Sequence, residues 1–352
     1  MTIPSMVMEL HAPAMRGRRL SRNAVFGAGL SGVALAGVLN LAYSTWRWAE
    51  FVVLGVVFAL AFITAASWAV EGRRKAVDRL VSNVVVSAFL VALAPLALVV
   101  YFTAVRGIPH FSAVFFTHSL AGVPPSETGG GIAAAIQGTV EQVFLATLIS
   151  VPIGLLVAVY VTEYGRGVFA RAIRFLVDVM TGIPSIVAGL FIYTFLVIGL
   201  HQGFSGFAGS LALSILMLPV VIRSAEEMIA LVPKAYREAS YALGVTRWRT
   251  IVSVVLPTAM GGLVTGVMLA VARVTGETAP LLLTAFDNNY LNANPFKGQQ
   301  SSLSLIVYTQ AQQAYQPAID RAWAAAATLI LIVIGLYVVA RLLTRRSAFR
   351  HG

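Results

Sequence analysis

The sequence predicts an all-α, polytopic membrane protein with about eight transmembrane helices, and two observations support this fold class. Hydrophobic residues make up 58% of the 352 residues and charged residues only 11%, whereas soluble domains carry about 25% charged residues. Apolar runs near the length that a helix needs to cross a bilayer recur along the chain. These runs lack the two-residue alternation of a transmembrane barrel, so helices are predicted.

Eight apolar runs define the predicted spans. They comprise residues 24–41, 49–70, 81–104, 134–161, 175–200, 208–222, 251–274 and 322–343. The first run follows a basic tail, but it exceeds the 7–15 apolar residues of a typical signal peptide. The fifth run is interrupted at 182–185 by a Gly-Ile-Pro-Ser sequence. The stretch 281–286 is too short to span, and 303–314 is predicted to lie at the membrane interface or to dip into the membrane.

The distribution of basic residues predicts the orientation. All but five of the 25 lysines and arginines fall in the two tails and in every second loop. The exceptions are Arg47, Arg106, Arg273, Lys297 and Arg321. The positive-inside rule then places both termini in the cytoplasm of a cell-membrane protein. A nucleic-acid site would not be divided among alternate loops, so the net charge of +11 predicts no nucleic-acid partner.

The residue types that usually carry chemistry are sparse. The chain has no cysteine, and its five histidines are scattered without ligand spacing. Neither a metal site nor a cofactor is predicted, and the sequence holds no catalytic constellation or nucleotide-binding loop. The chain is therefore predicted not to be an enzyme by itself.

The polar loop 223–250 contains a predicted short helix. Pro233 suits its first position, residues 234–243 are good helix formers, and Gly244 suits a helix stop. One face of this helix carries small or apolar residues, namely Ala235, Ala239, Ala242 and Leu243. The residues alone leave two interpretations open: an amphipathic connector that lies on lipid headgroups, or a docking surface for a soluble partner.

The end of the seventh span carries two charges. Arg273 and Glu277 are four residues apart, so they are expected to share a helix face. Arg273 would lie roughly 24 Å beyond Pro257 along a helix, in the outer part of the bilayer. It either reaches the headgroups or contacts an anion on the transport pathway. Of the other polar residues in spans, Asp178 is predicted to make an interhelical bond rather than to bind substrate. Glu141 and Gln137 are predicted to face water, with the substrate pathway as the alternative.

The loop resembles the EAA motif of ATP-binding-cassette importer permeases. Glu238-Ala239-Ser240 is followed after three residues by Gly244, and after nine more by Val254, one residue and Leu256-Pro257. Ser240 and Val254 replace the alanine and isoleucine of the family pattern. The resemblance implies that Glu238, Ala239, Ser240, Gly244, Leu256 and Pro257 couple the permease to a cytoplasmic ATPase.

The stretch from Ala272 to Thr284 resembles the signature of the PstA family of phosphate importer permeases. A Pro-Ser-Ile-Val stretch that begins at Pro184 is similar to another part of that family's pattern. The resemblance implies a substrate pathway that includes Arg273, Glu277, Thr278 and Ser185.

This resemblance implies a domain organisation. A MetI-like six-helix permease domain is expected at 79–343, with its coupling loop at 223–257. Two additional helices precede it at 24–78. Cytoplasmic tails are expected at 1–23 and 344–352.

The resemblance also implies a function and its partners. The chain would move inorganic phosphate into the cytoplasm by alternating access, together with a PstC-type permease, a PstB-type ATPase, a PstS-type phosphate-binding protein and membrane lipid. A permease for another oxyanion or small solute remains the alternative. A membrane enzyme would need a catalytic constellation, and a secondary transporter would not need the coupling loop.

Overall fold

The computed structural model describes residues 20–42 and 47–348. Most of the two predicted tails therefore lies outside the described residues. Regular structure within these ranges is helical, apart from one isolated bridge between Ser205 and Gly298. The contacts divide the chain into two units, with the boundary between Val100 and Tyr101.

The first unit is a helical hairpin followed by the start of a third helix. Its helices are α1 (Arg22–Ala42), α2 (Trp48–Glu71) and the first part of α3 (Arg73–Gly107). At the crossing of α1 and α2, Gly32 lies so close to the backbone of Phe58 and Ala59 that a Cβ atom would not fit. Small residues allow such close approach between membrane helices.

The second unit contains the remaining helices. Those of the first half are α4 (Ala113–Thr117), α5 (Ala133–Val159), α6 (Val168–Thr181), α7 (Ser185–Ile192) and α8 (Gly206–Ala230). Those of the second half are α9 (Lys234–Ala242), α10 (Arg247–Thr250), α11 (Leu256–Thr275), α12 (Ala279–Thr284), α13 (Leu303–Ala311) and α14 (Gln316–Ala348). Wider π-helical turns extend three of these helices, at Tyr160–Tyr164, Tyr193–Gly199 and Ile251–Val255.

Helices α5, α8 and α11 form the centre of this unit. Their buried side chains meet in one cluster that includes Ala146, Leu213, Met217 and Ala270. Glycines permit the close packing, because a Cβ at Gly154 would overlap Val221 of the facing helix. The cluster leaves two opposite ends: the α9 end, where α5 and α8 finish and α11 begins, and the α12 end, where α11 finishes.

Seven described helices are long and apolar enough to cross a membrane, and one bent pair raises the number to eight. The predicted all-α polytopic fold class is confirmed. The fifth span differs from the prediction, because α6 begins at Val168 within the expected charged connection and meets the continuation of α7 at 104°. Gly182 caps α6, and Pro184 cannot donate a backbone hydrogen bond across the break.

The sixth span is longer than predicted. Helix α8 continues to Ala230, so residues 223–230 are helical rather than part of the polar loop. Charged side chains stay on this helix because they have partners: Arg223 pairs with Asp178 of α6, and Glu226 pairs with Arg174 of α6 at 2.8 Å. The interhelical bond predicted for Asp178 is confirmed.

Helix α13 lies inside the bundle rather than at the membrane interface. Leu303, Leu305 and Ile306 are buried, and the hydroxyl of Thr139 in α5 accepts a hydrogen bond from the amide of Leu303 at 2.8 Å. The polar side chains of Ser304 and Gln310 are buried as well. This helix therefore belongs to the core of the second unit.

Candidate functional site

Helix α9 is defined by strong start and stop signals. Pro233 occupies the N-cap, one position before the predicted one, and the helix begins at Lys234. Gly244 adopts a left-handed φ of 76°. Its amide bonds to the carbonyl of Tyr241 at 2.9 Å, and the Val245 amide bonds to that of Ser240 at 3.2 Å. These two bonds form a Schellman motif, which explains the need for glycine.

The outer face of α9 is exposed and partly apolar. The predicted coupling residues Glu238 and Ala239 are both exposed. Leu243 follows with 83% of its surface exposed, and Tyr236 and Tyr241 are also open to solvent. Apolar side chains grouped in this way on a polar loop mark an interaction surface.

The inner face of α9 is bonded to α10, the short helix that precedes the π-helical turn and α11. Ser240 is buried, and its hydroxyl lies 2.8 Å from that of Thr250. The Thr250 hydroxyl also donates to the carbonyl of Thr246 at 3.2 Å. The alanine of the family pattern has no hydroxyl, so the serine of this chain adds a bond between the two helices.

A buried ion pair fixes α9 to the end of α5. Glu163 accepts hydrogen bonds from Nε and Nη2 of Arg237 at 3.0 and 2.6 Å. The two side chains are only 6% and 15% exposed. Arg237 also donates to the carbonyls of Val232 and Ile229, beyond and within the last turn of α8. One guanidinium therefore joins three helices, and burial makes each of its bonds costly to lose.

Arg247 makes a second contact with the same turn of α5. Its guanidinium donates to the backbone carbonyl of Glu163 and lies over the ring of Tyr164, 4.8 Å from the centroid. Glu163, Arg237 and Arg247 are not among the site residues that the sequence predicts. In the sequence, Arg237 and Arg247 can be recognised only as charges close to the motif. Glu163 gives no such signal, because it lies 74 residues before Arg237.

The Leu256-Pro257 pair lies at the junction of a π-helical turn and α11. Leu256 packs against the cluster that holds Ala158, Ile229 and Val255. Pro257 has no backbone N–H, so it fits the first turn of a helix, where that donor is not needed. The motif residues therefore all belong to one structure at the α9 end.

At the α12 end, the structure places Arg273 and Glu277 differently from the prediction. Helix α11 ends at Thr275 with Gly276 as its cap, so Glu277 lies beyond the helix. The prediction that Arg273 and Glu277 share a helix face is therefore wrong. The Glu277 amide bonds to the carbonyl of Val274 rather than to that of Arg273. Among residues 20–42 and 47–348, Arg273 has no ion-pair partner, and its side chain is exposed.

Thr278 and Ser185 belong to two short helices that pack together. Thr278 caps α12, and Ser185 is the first residue of α7. The helices touch where Gly189 meets Pro280, with no room for a Cβ atom. The structure thus brings α7 and α12 together beside the end of α11, but the four predicted pathway side chains, all within the described residues, are not hydrogen-bonded to one another.

A buried amide network lies at the same end. Gln300 donates to Glu141 at 2.6 Å, and Gln142 donates to the Gln300 side chain at 3.2 Å. Gln137 also donates to Glu141 at 2.8 Å. Glu141 is half-buried and accepts both of these bonds. The network ties the loop before α13 to the first turns of α5.

Arg321 fixes a second loop at this end. It is buried and donates to the carbonyls of Glu127 and Pro125 and to the side chain of Gln310. Within the described ranges, no group of three or more histidines and carboxylates could bind a metal.

The family described as "Binding-protein-dependent transport system inner membrane component" matches residues 150–350. The chain is similar to the phosphate transport system permease protein PstA 1 of Mycobacterium tuberculosis (strain CDC 1551 / Oshkosh), with 42% identity over 77% of this chain and 90% of the relative. It is 44% identical to PstA of Mycobacterium leprae (strain TN), over 75% of this chain and 87% of the relative. PstA of Haemophilus influenzae is 38% identical over 76% of this chain and 94% of the relative.

Among solved structures, the chain is similar to an inward-facing methionine ABC transporter, MetNI. The identity is 20%, the TM-score is 0.49, and the match covers 62% of this chain and 94% of that chain. The sequence relatives and the family match decide the assignment. The chain is a multi-pass membrane protein that belongs to the PstA family of ATP-binding-cassette importer permeases.

Proposed function

We propose that this chain is the membrane subunit through which an ATP-driven importer moves inorganic phosphate into the cytoplasm. The observation that carries the proposal is the α9 structure: an exposed helix face whose other face is bonded to the end of α5, to α8 and to α10, which leads into α11. Such a helix can receive a force from a soluble partner and pass it to the spans. The names of the relatives supply the substrate.

The proposed orientation places α9 and both termini in the cytoplasm. The distribution of lysine and arginine supports it, since the described part of the α9 end holds Arg166, Arg223, Lys234, Arg237, Arg247 and Arg249. The α12 end then faces the outside. The proposal keeps the domain limits that the sequence predicts. These are 24–78 for the additional helices and 79–343 for the permease domain.

The proposed partners occupy these two ends. A PstB-type ATPase contacts the exposed face of α9, and a PstS-type binding protein delivers phosphate at the α12 end. A PstC-type permease completes the pathway within the membrane. ATP is hydrolysed by the partner, and alternating access follows from movement of α9 and the helices bonded to it.

The proposed coupling surface includes Glu238, Ala239 and Leu243. A variant Leu243→Ser is expected to weaken ATPase binding, because the exposed leucine supplies apolar contact area. Leu231→Ser is the matched control, since Leu231 is 73% exposed but lies outside α9. Co-purification of the ATPase with each variant measures the effect. If both variants lost the ATPase to the same extent, α9 would not be the coupling surface.

Along the proposed substrate pathway, Arg273 meets the phosphate first. A guanidinium offers paired donors to a tetrahedral oxyanion, and this one is exposed and free of a carboxylate partner within the described residues. Glu277, Thr278 and Ser185 follow on the adjoining loop, α12 and α7. Their placement around the end of α11 supports this assignment.

Uptake by the reconstituted complex tests the function. Vesicles that contain this chain and its three partner proteins are expected to accumulate radiolabelled phosphate. Accumulation is expected only when ATP is present on the side of the membrane where the ATPase lies. Arg273→Gln is expected to abolish uptake while ATPase assembly persists. Lys297→Gln is the matched control, because Lys297 is another exposed cation of the same end. Accumulation of a different oxyanion in place of phosphate would establish the alternative permease.

A further inference from the structure

We propose that the first unit carries a binding site for one anionic phospholipid, in a groove between α1, α2 and the start of α3. The groove is a cavity of about 700 Å³, lined mainly by apolar side chains of α1 and α2. Two arginines, Arg22 and Arg79, line it as well. The inference stands apart from the proposed transport function, because it concerns only the first unit.

The groove has the dimensions of a lipid chain. Its lining runs along α1 from Arg22 to Val33, which corresponds to roughly 16 Å of helix. A second cavity of about 220 Å³ shares Val33, Ala59 and Ile63 with the first and continues to Asn83 and Ser87 of α3. The two cavities therefore lie next to each other along the hairpin.

The carboxylate of Glu71 holds together the three chain segments at the charged end of the groove. Glu71 accepts hydrogen bonds from the amide of Leu20 at 2.8 Å, from Ser67 at 2.7 Å and from Nη2 of Arg79 at 2.6 Å. These bonds join the start of α1, the end of α2 and the first turns of α3. They also hold Arg79 at the end of the groove, where one of its five N–H groups donates to Glu71.

Arg22 adds an uncompensated charge. In the part of the chain that the structure describes, it has neither an ion pair nor a side-chain hydrogen bond. Three more cations, Arg73, Arg74 and Lys75, follow directly after Glu71, and Asp78 is the one further acid of this turn. This end of the unit is therefore strongly positive.

Charge complementarity identifies the occupant. A basic pocket between membrane helices at headgroup depth attracts anionic lipid headgroups. A phosphodiester with acyl chains places its charge at Arg22 and Arg79 and its tail along the apolar lining of α1 and α2. An apolar helix from another protein would fill the lining but leave the guanidinium of Arg22 without an anion, which is costly inside a membrane.

Native mass spectrometry of the purified full chain, titrated with phosphatidylglycerol or phosphatidylcholine, tests the site. Wild type is expected to bind the first phosphatidylglycerol about tenfold more tightly than phosphatidylcholine. Arg22→Gln is expected to reduce this preference about fivefold, since one cation is lost. This variant breaks no described contact, so its fold is expected to persist.

Arg73→Gln is the matched control, because it removes the same charge from the start of α3, at the same end of the unit but outside the groove lining. Gly29→Leu fills the groove, since even a Cβ at that position would lie 3.4 Å from Ile63. It is expected to weaken binding of both lipids while the charges stay unchanged.

Three results would overturn the proposal. The first is equal affinity for the two lipids, and the second is an equal loss in Arg22→Gln and Arg73→Gln. The third is displacement of the first phosphatidylglycerol by millimolar inorganic phosphate, which would make this a site for a free anion. Loss of the bound lipid when the chain assembles with its partner proteins would also contradict the proposal, because a protein helix would then occupy the groove in place of a lipid.

Discussion

Arg237 at the α9 end and Arg273 at the α12 end lie in opposite environments. Arg237 is largely buried and is bonded to Glu163 and to two carbonyls. Arg273 is exposed, with no ion-pair partner in the described ranges. An arginine held by several bonds maintains structure, whereas an exposed and unpaired one is available for an anion. Under the proposed function, this difference separates the part of the molecule that transmits movement from the part that meets substrate.

The largest expected effect on stability comes from replacing Arg237, the cation of the ion pair with Glu163. Arg237→Met leaves the carboxylate of Glu163 buried without compensation, which costs about 3 kcal/mol of unfolding free energy. The melting temperature is expected to fall by roughly 6–12 °C. Differential scanning fluorimetry of the purified chain measures the change.

Two variants control this experiment. Arg249→Met removes an exposed arginine of the same loop and is expected to change the melting temperature little. Glu163→Met combined with Arg237→Met is expected to recover most of the loss, because no unpaired charge remains. A double variant as unstable as Arg237→Met would show that the pair acts through something other than charge.

A smaller effect is expected at the end of α9. Gly244→Ala places a side chain at a φ of 76°, which costs roughly 1–2 kcal/mol. The melting temperature of the chain and its retention of the ATPase should both fall. Gly261→Ala is the control, since it lies in α11 with open space around it and should be neutral or stabilising. Equal stability of the two variants would contradict the Schellman assignment.

Ser240→Ala is expected to cost about 1 kcal/mol, the contribution of a single hydrogen bond. The Thr250 hydroxyl keeps its bond to the carbonyl of Thr246, so no buried donor is left without an acceptor. Ser253→Ala removes an exposed hydroxyl of the next turn and serves as the control. If both variants melt at the same temperature as wild type, the bond between α9 and α10 adds no stability.

The smallest stability effect and a complete functional effect are expected together at Arg273. Arg273→Gln should change the unfolding free energy by less than about 0.5 kcal/mol, because the side chain is exposed. Phosphate uptake should nevertheless be lost. Destabilisation as large as that of Arg237→Met would erase the contrast between the two ends.

Local signals made α9 predictable to within one residue. Proline at the start and glycine at the stop act through the backbone of their own neighbourhood, so the sequence alone contains them. The ion pair between Glu163 and Arg237 was not predictable, since no periodicity relates residues 74 positions apart. The prediction for Glu277 failed because the glycine before it ends α11, although the same spacing within a helix would have aligned it with Arg273.

The length of α8 illustrates a different limit. Charges at Arg223 and Glu226 suggested a loop, yet both are paired with residues of α6 and stay on a helix. Composition identified the spans, whereas tertiary partners determined where each one ends.

The π-helical turn at Ile251–Val255 sets the angular register of everything after it. An α-helix rotates about 100° per residue, so the extra residue held in a π-turn offsets the following helix by about that angle. Leu263 and Val271 face the bundle in this register, and Arg273 faces outward. A one-residue deletion within this turn would rotate α11 rather than shorten it, turning Arg273 away from its present direction while α9 stays in place.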